Sequence, residues 1–279
     1  MAIKLLAFDL DGTTLVQHSR LPAANRKALL AAAARGVALV PATGRMLGFL
    51  PEEVRALPVR YAITSNGGGV YDLSTGQAVV ENLISNEKAQ AVQAILDEYD
   101  IYIEYYAHGG AITRRGMPEL ASTHYGLPES KWGFIEGKTY TLTDSLPAML
   151  RETGLCPEKI NLPFMQPEQR LEIWARIEAL GGLRLTSSIP DNIEINSMEG
   201  HKGGALLGLA QKLGLRQEEL MALGDNGNDV TMLETAGCSV AVGDAAPEAL
   251  AAARYVTAPH DQDGLALAIE RFVLGTADI

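Results

Sequence analysis

The 279-residue chain has only two cysteines, Cys156 and Cys238, far apart and in no Cys-x-x-Cys pair. That excludes a disulfide framework and a thiolate zinc site, and it fits a reducing, cytoplasmic setting. No apolar run approaches the ~20 residues of a membrane span, and the N-terminus passes from Lys4 through four apolar residues into Asp9. Neither a signal peptide nor a membrane anchor is therefore expected. No run of five Lys/Arg residues occurs and the formal charge is −11, which excludes a general nucleic-acid surface. An anionic ligand would need local cations to hold it. The five histidines, His18, His108, His124, His201 and His260, show no metal-ligand spacing and read as surface residues. There is no internal repeat, low-complexity tract or long linker.

What is present is an ordinary globular composition, 47% apolar and 20% charged, in a chain long enough for one large core or two domains. The first third alternates short apolar runs with helical patterns. Strands are expected near Ile3–Phe8, Val37–Pro41 and Tyr61–Thr64, with helices near Ala23–Ala34 and Leu47–Ala56. The pattern resumes with a helix through Ala205, Leu206, Leu209 and Leu213, a strand at Leu220–Leu223, a helix through Met232 and Leu233, and a strand at Ser239–Val242. This is an α/β chain with a doubly wound parallel sheet. Between the two parts the texture changes. Val70–Asp72 and Gln77–Val80 flank a Ser-Thr-Gly turn, and Tyr102–Tyr106, Tyr140–Leu142, Lys159–Phe164 and Leu183–Ser187 read as strands. Helices near Glu87–Glu98 and Glu168–Leu180 accompany them. The expected organisation is a discontinuous core, residues 1–82 and 190–279, with an inserted α+β domain at 83–189; Asn82 and Pro190 are hinge neighbours.

Four short motifs carry chemistry. Asp9 and Asp11 end the first apolar run just before Gly12, so both sit at the carboxyl end of a strand, where ligands of open α/β sheets bind. They are either an Asp-rich capped turn or a carboxylate pair that attracts a hard divalent cation. Pro41-Ala42-Thr43-Gly44-Arg45 follows the second strand; its hydroxyl, glycine and free amides suit a phosphate cradle, or else Thr43 is a simple N-cap. Lys202, in Gly200-His201-Lys202-Gly203, opens a helix against the macrodipole, which a bound anion and a nearby carboxylate would explain; otherwise it is a solvated lysine. Gly224-Asp225-Asn226-Gly227-Asn228-Asp229 puts a further carboxylate cluster at a strand end, without the spacing of a calcium loop. Two other motifs fail. Gly133–Thr139 lacks one spacer residue of a nucleotide-binding loop, and Gly67-Gly68-Gly69 reads as a turn.

Taken in order, these motifs resemble those of the haloacid dehalogenase-like phosphatases, more narrowly the Cof-type subgroup, which carries its cap between the second and third motifs. Ile63–Gly67 with Asn66, Lys159-Ile160 and Tyr255–Gly264 extend the likeness over nearly the whole chain. The resemblance implies that Asp9 is the nucleophile and Asp11 the general acid and base. Thr43, Gly44 and Lys202 would hold the phosphoryl oxygens, with Gly12, Arg45, Asn66 and Asn228 beside the substrate. Mg²⁺ would be bound by Asp9, Asp225 and the backbone carbonyl of Asp11, with Asp229 behind them. It further implies a cytoplasmic phosphatase acting on a small phosphorylated metabolite, sugar phosphates first and cofactor phosphates such as pyridoxal phosphate second; monomer and homodimer are both open. The cap would read the substrate, with Tyr105, Tyr106, His108, Arg114, Arg115, Lys131 and Trp132 as candidates. A phosphomutase and a phosphorylated non-catalytic switch are the competing readings.

Overall fold

A computed structural model of the chain describes residues 2–127, 140–188 and 191–276. In chain order the first elements are β1 (Leu5–Phe8), α1 (Ala23–Ala34), β2 (Ala38–Pro41), α2 (Glu52–Arg55), β3 (Tyr61–Thr64), β4 (Gly69–Asp72), β5 (Gln77–Glu81) and α3 (Asn86–Leu96). There follow β6 (Glu104–Ala107), β7 (Gly110–Arg114), α4 (Met117–Leu120), β8 (Tyr140–Thr143), α5 (Leu146–Thr153), β9 (Lys159–Leu162), α6 (Pro167–Glu178), β10 (Leu183–Thr186) and β11 (Ile193–Ser197). The last are α7 (Lys202–Leu213), β12 (Leu220–Gly224), α8 (Val230–Thr235), β13 (Cys238–Ala241), α9 (Pro247–Ala252), β14 (Tyr255–Val256) and α10 (Gly264–Ile269). The chain forms two compact units, Met1–Arg45 with Leu50–Glu81 and His201–Ile279, and Met46–Phe49 with Asn82–Gly200. No described helix is long and apolar enough to cross a membrane.

The first unit is built on a parallel sheet of order β14-β13-β12-β1-β2. Its strands are short and apolar because both faces are covered. Leu5 and Ala7 of β1 join a buried cluster with Ala205, Leu206 and Leu209 of α7 and Met232 and Leu233 of α8; Leu6 and Phe8, pointing the other way, are equally buried. The chain runs from β1 to β2 on one side and returns through β12 on the other. The strand order therefore reverses at β1, and the crevice beyond the carboxyl ends of β1 and β12 is the place such sheets offer a ligand.

Strand β3 lies outside that ladder: it pairs antiparallel with β4, which pairs with β5, and only isolated parallel bridges link Leu39 to Val59 and Ala42 to Ile63. The helix expected over Leu47–Ala56 is split into a 3₁₀ turn at Leu47–Phe49 and α2, because Pro51 lacks the N–H that a continuous helix needs.

The second unit has a six-stranded sheet of order β10-β11-β9-β6-β7-β8. Its apolar face, with Tyr105, Ile160, Leu162, Ile193 and Ile195, packs on Val92 and Leu96 of α3, Leu146 and Leu150 of α5, and Ile173 and Ile177 of α6. β11, C-terminal of the expected boundary near 190, pairs with both β9 and β10. β9 ends at Leu162 because Pro163 follows, so the strand expected through Phe164 is shorter.

Candidate active site

The carboxyl ends of β1 and β12 place Asp9 and Asp225 side by side: the Asp9 N–H donates to Leu223 O at 3.0 Å, which continues the β1–β12 ladder. Lys202 reaches them from the first turn of α7. Its Nζ donates to Asp9 Oδ1 at 2.5 Å and to Asp229 Oδ1 at 2.6 Å, and the side chain is wholly buried. This is the reason a lysine opens a helix that would otherwise prefer acidic groups there. Asp229 is pinned on its other oxygen by the N–H groups of Asp225 (3.0 Å) and Asn226 (3.1 Å). Thr13 donates its hydroxyl to Asp225 Oδ1 at 2.7 Å, and Thr14 to the Asp9 carbonyl at 2.6 Å.

Three carboxylates and one ammonium in a buried site leave excess negative charge. Burial pushes the Asp9 carboxyl well above its usual range; Lys202 opposes this, and Asp229, Asp225 and Asp11 add to the rise. Burial likewise raises Asp225 to about 6, with Asp229 reinforcing it and Thr13 and Lys202 opposing it. Burial would lower the Lys202 pKa, but Asp229 and Asp9 outweigh it and hold the ammonium charged. One oxygen each from Asp9, Asp225 and Asp229 lies within 4.8 Å of the others. An oxygen-only donor set with surplus negative charge fits a hard divalent cation.

Asp11 points elsewhere. Its carboxylate accepts from Arg45 Nε (2.8 Å) and Nη2 (2.5 Å) and from His18 Nδ1 (3.0 Å), so its side chain is outside the three-carboxylate cluster. Burial would raise its pKa, but the hydrogen bonds from His18 and Arg45 outweigh that and hold it below the usual value. Arg45, grouped by sequence with the phosphate cradle, thus grips Asp11. The Arg45 N–H donates to Thr43 Oγ1 at 3.1 Å, and Thr43 itself is buried.

A third segment closes beneath. Ser65, Asn66 and Gly67 run at φ of 53°, 60° and 104°, and Asn66 accepts from Asn228 Nδ2 at 3.1 Å. The structure thus gathers Asp9, Lys202, Asp225 and Asp229 at one point, pairs Asn66 with Asn228, and pairs Asp11 with Arg45. Gly12, at φ +84°, is where the chain turns away; a Cβ there would meet Asp225 Oδ2 at 2.6 Å.

Gly67 has the tightest surroundings of these glycines: an added Cβ would lie 2.3 Å from the His201 carbonyl oxygen and 2.9 Å from Lys202 N. We expect Gly67→Ala to lower the melting temperature by the equivalent of at least ~3 kcal/mol, since clash and left-handed strain combine. Gly76→Ala, with φ +71° and nothing within 4 Å, isolates the strain alone and should cost about 1 kcal/mol. Thermal unfolding of the two variants checks the difference.

Sequence reasoning missed two groups here. His18 is at the surface, as expected of the histidines, but its bond to Asp11 has no sequence signal, and Thr13 carries none beyond its place after Gly12. Of the substrate-reading candidates in the second unit, Tyr105 faces the apolar core and donates to Gln93 Oε1 at 2.7 Å. Arg114 and Arg115 bond Tyr125 and Asp144 at the surface. Lys131, Trp132, Gly133–Thr139 and Pro190 lie outside the described residues. Tyr106 belongs instead to a buried polar face opposite the apolar one. There Glu104 accepts from Tyr106 (3.1 Å), Tyr140 (2.5 Å) and Asn161 (2.8 Å), and Lys159 donates to Glu194 at 2.6 Å. The period-two run Ile193-Glu194-Ile195-Asn196 was the available signal for that face.

Comparison with known proteins finds similarity over most of the chain. Residues 6–269 match a family model described as haloacid dehalogenase-like hydrolase. The chain is 29% identical to the Bacillus subtilis 5-amino-6-(5-phospho-D-ribitylamino)uracil phosphatase YcsE, over 98% of this chain and 96% of that protein. It is 31% identical to the HMP-PP phosphatase of Cronobacter sakazakii, over 89% and 87% respectively. A solved haloacid dehalogenase-like hydrolase from B. subtilis superposes with a TM-score of 0.81 at 27% identity, covering 96% of this chain and 99% of that one.

Proposed function

The chain belongs to the haloacid dehalogenase-like hydrolase family and is a phosphatase; from that premise we propose that it hydrolyses small sugar or polyol phosphates, ahead of cofactor phosphates, in a Mg²⁺-dependent reaction through an aspartyl phosphate. The observation that carries this reading is the strand-end position of Asp9 between Lys202 and the carboxylates of Asp225 and Asp229.

An Asp9 oxygen attacks phosphorus in line, forming a new P–O bond while the bond to the alcohol oxygen breaks. The electron pair leaves with that oxygen, which takes a proton from the Asp11 carboxyl. Asp11, now ionised, removes a proton from water as the water oxygen bonds phosphorus; the bond to Asp9 breaks, its electron pair returns to the carboxylate, and inorganic phosphate departs. Lys202, the Thr43 hydroxyl and Gly44 offset charge on the phosphoryl oxygens. Asp9, Asp225 and the Asp11 carbonyl would hold Mg²⁺, with Asp229 behind them. When bound, the cation supplies the neutralisation that lets an anionic nucleophile approach an anionic ester.

The second unit's sheet carries a polar face with the chemistry to bind a hydroxyl-rich ligand. Glu194 stands beside Asn161, and Asn161 beside Glu104, in cross-strand register, with Lys159 beside Tyr106. Alternating donors and acceptors with two carboxylates suit a hydroxyl-rich alcohol and disfavour a second phosphate.

The test is phosphate release from sugar monophosphates, sugar bisphosphates, pyridoxal phosphate and nucleotides, with Mg²⁺ and with EDTA. We expect metal-dependent release, greatest for a sugar or polyol monophosphate. Release unaffected by EDTA, or none without an added activating bisphosphate, would overturn the reading, the latter in favour of a mutase.

A further inference from the structure

Strand β10 reads Leu183-Arg184-Leu185-Thr186, and its alternation sends successive side chains to opposite faces. Leu183 and Leu185 pack against the apolar cluster of the second unit. Arg184 and Thr186 therefore share the polar face, where Arg184 is in register with Asn196 and Thr186 with Glu194. Both carboxylates of that face are already partnered. Glu194 accepts from Lys159 at 2.6 Å, and Glu104 accepts from Tyr106, Tyr140 and Asn161. Asn196, opposite Arg184, donates its amide to the Glu158 carbonyl at 2.8 Å. Arg184 itself makes no hydrogen bond or ion pair among the described residues, and its Nε is buried without an acceptor.

That vacancy is specific. A guanidinium stays charged at any ordinary pH, and a buried N–H with no acceptor costs free energy in the folded protein. A ligand that supplies the acceptor removes the cost. Access is available, because Lys159, Asn161 and Glu194 in the middle of the sheet are buried whereas Arg184 and Thr186, on the outer strand β10, keep partial exposure. Nε together with a neighbouring Nη presents a side-on fork that matches the two oxygens of a carboxylate. One carboxylate also balances the one unpaired charge. A phosphate dianion would bring a second negative charge beside Glu194, and a neutral carbonyl would leave the guanidinium uncompensated.

We propose that Arg184 makes this end of the polar face a binding site for a hydroxyl-rich carboxylate, a sugar acid or its phosphate ester. The guanidinium pairs with the carboxylate, and the hydroxyls of the same molecule meet the hydrogen-bonding side chains of Thr186, Asn196 and Glu194. The inference rests on the reading of this face as a surface for hydroxyl-rich ligands and names the group that such a ligand carries at one end.

Gluconate and sorbitol test it, since they differ only in a terminal carboxylate against a terminal alcohol. Calorimetric titration of the full chain in EDTA should show gluconate bound at least about tenfold more tightly than sorbitol, the scale of a charge-assisted pair. Arg184→Ala should erase the preference, and Arg184→Lys, which keeps the charge but not the fork, should retain part of it. The side chain has no bond to lose, so both variants should fold, and melting temperature checks it. Equal affinity for the two ligands, no binding of gluconate, or a preference that survives Arg184→Ala would overturn the proposal. Kinetics separate it from the phosphatase reading. A kcat/KM ratio for 6-phosphogluconate over sorbitol 6-phosphate that falls about tenfold in Arg184→Ala would support both. Gluconate binding through Arg184 with neither ester hydrolysed would leave the site standing and overturn the polyol phosphate reading. Metal-dependent hydrolysis of both esters, with no Arg184-dependent preference in binding or rate, would overturn the site alone.

Discussion

Asp9→Asn is expected to abolish phosphate release, by on the order of 10⁴-fold or more, while the folded protein becomes more resistant to heat. The two effects have one cause. The nucleophile must be an ionised carboxylate, yet burial among Asp225 and Asp229 works against that charge, and Lys202 only partly offsets the cost. An amide keeps the shape and can still accept from Lys202, but it brings no charge into the site. The pH dependence follows in sign. An acid whose pKa is raised on folding binds more protons in the native state, so its ionisation removes stability as pH rises from the unfolded value toward the native one. In EDTA, the Asp9→Asn advantage in melting temperature should vanish near or below pH 3.8, the ordinary value, and grow as pH rises above it. A variant that loses activity and also loses stability at neutral pH would contradict this account. The arrangement is a site whose function is held against stability.

The core was legible because the physics there is local. A buried parallel strand must be apolar and must end where charge begins, so Leu5–Phe8 before Asp9 and Leu220–Gly224 before Asp225 announced both the sheet and the site. Lys202 was legible as an anomaly, a cation at the wrong end of a helix. What could not be read depends on contacts between residues distant in sequence. Arg45 looked like part of an anion cradle because nothing in Ala-Thr-Gly-Arg says that the guanidinium turns back 34 positions to Asp11. His18 was hidden for the same reason: its approach to Asp11 is set by a left-handed turn at two residues with no glycine to mark it. In the second unit, β7 and β11 escape notice because each closely follows a strand of similar texture. The polar face they complete could be recognised only once register placed Glu194, Asn161 and Glu104 side by side.

Lys202 sets the second large effect. Lys202→Met should lose activity to the same floor as Asp9→Asn, but its stability should move the other way. The side chain has no exposed surface and bonds Asp9 and Asp229 together, so its removal leaves both carboxylates buried without their cation. Breaking a buried pair from one side costs about 3–5 kcal/mol. For a chain of this size that is a fall in melting temperature on the order of 10 °C. The cost has an escape, because Asp9, already hard to ionise, can take up a proton once Lys202 is gone. The deficit of Lys202→Met relative to wild type should therefore shrink as pH falls, and a double variant with Asp9→Asn should recover part of the lost stability at neutral pH without recovering turnover. A thermal-unfolding cycle over the two single variants and the double, in EDTA, measures the coupling directly. Strict additivity would mean that Lys202 and Asp9 do not depend on each other for their place in the fold. A positive coupling would mean that one salt bridge both holds the strand ends of β1 and β12 together with α7 and keeps the attacking oxygen ionised.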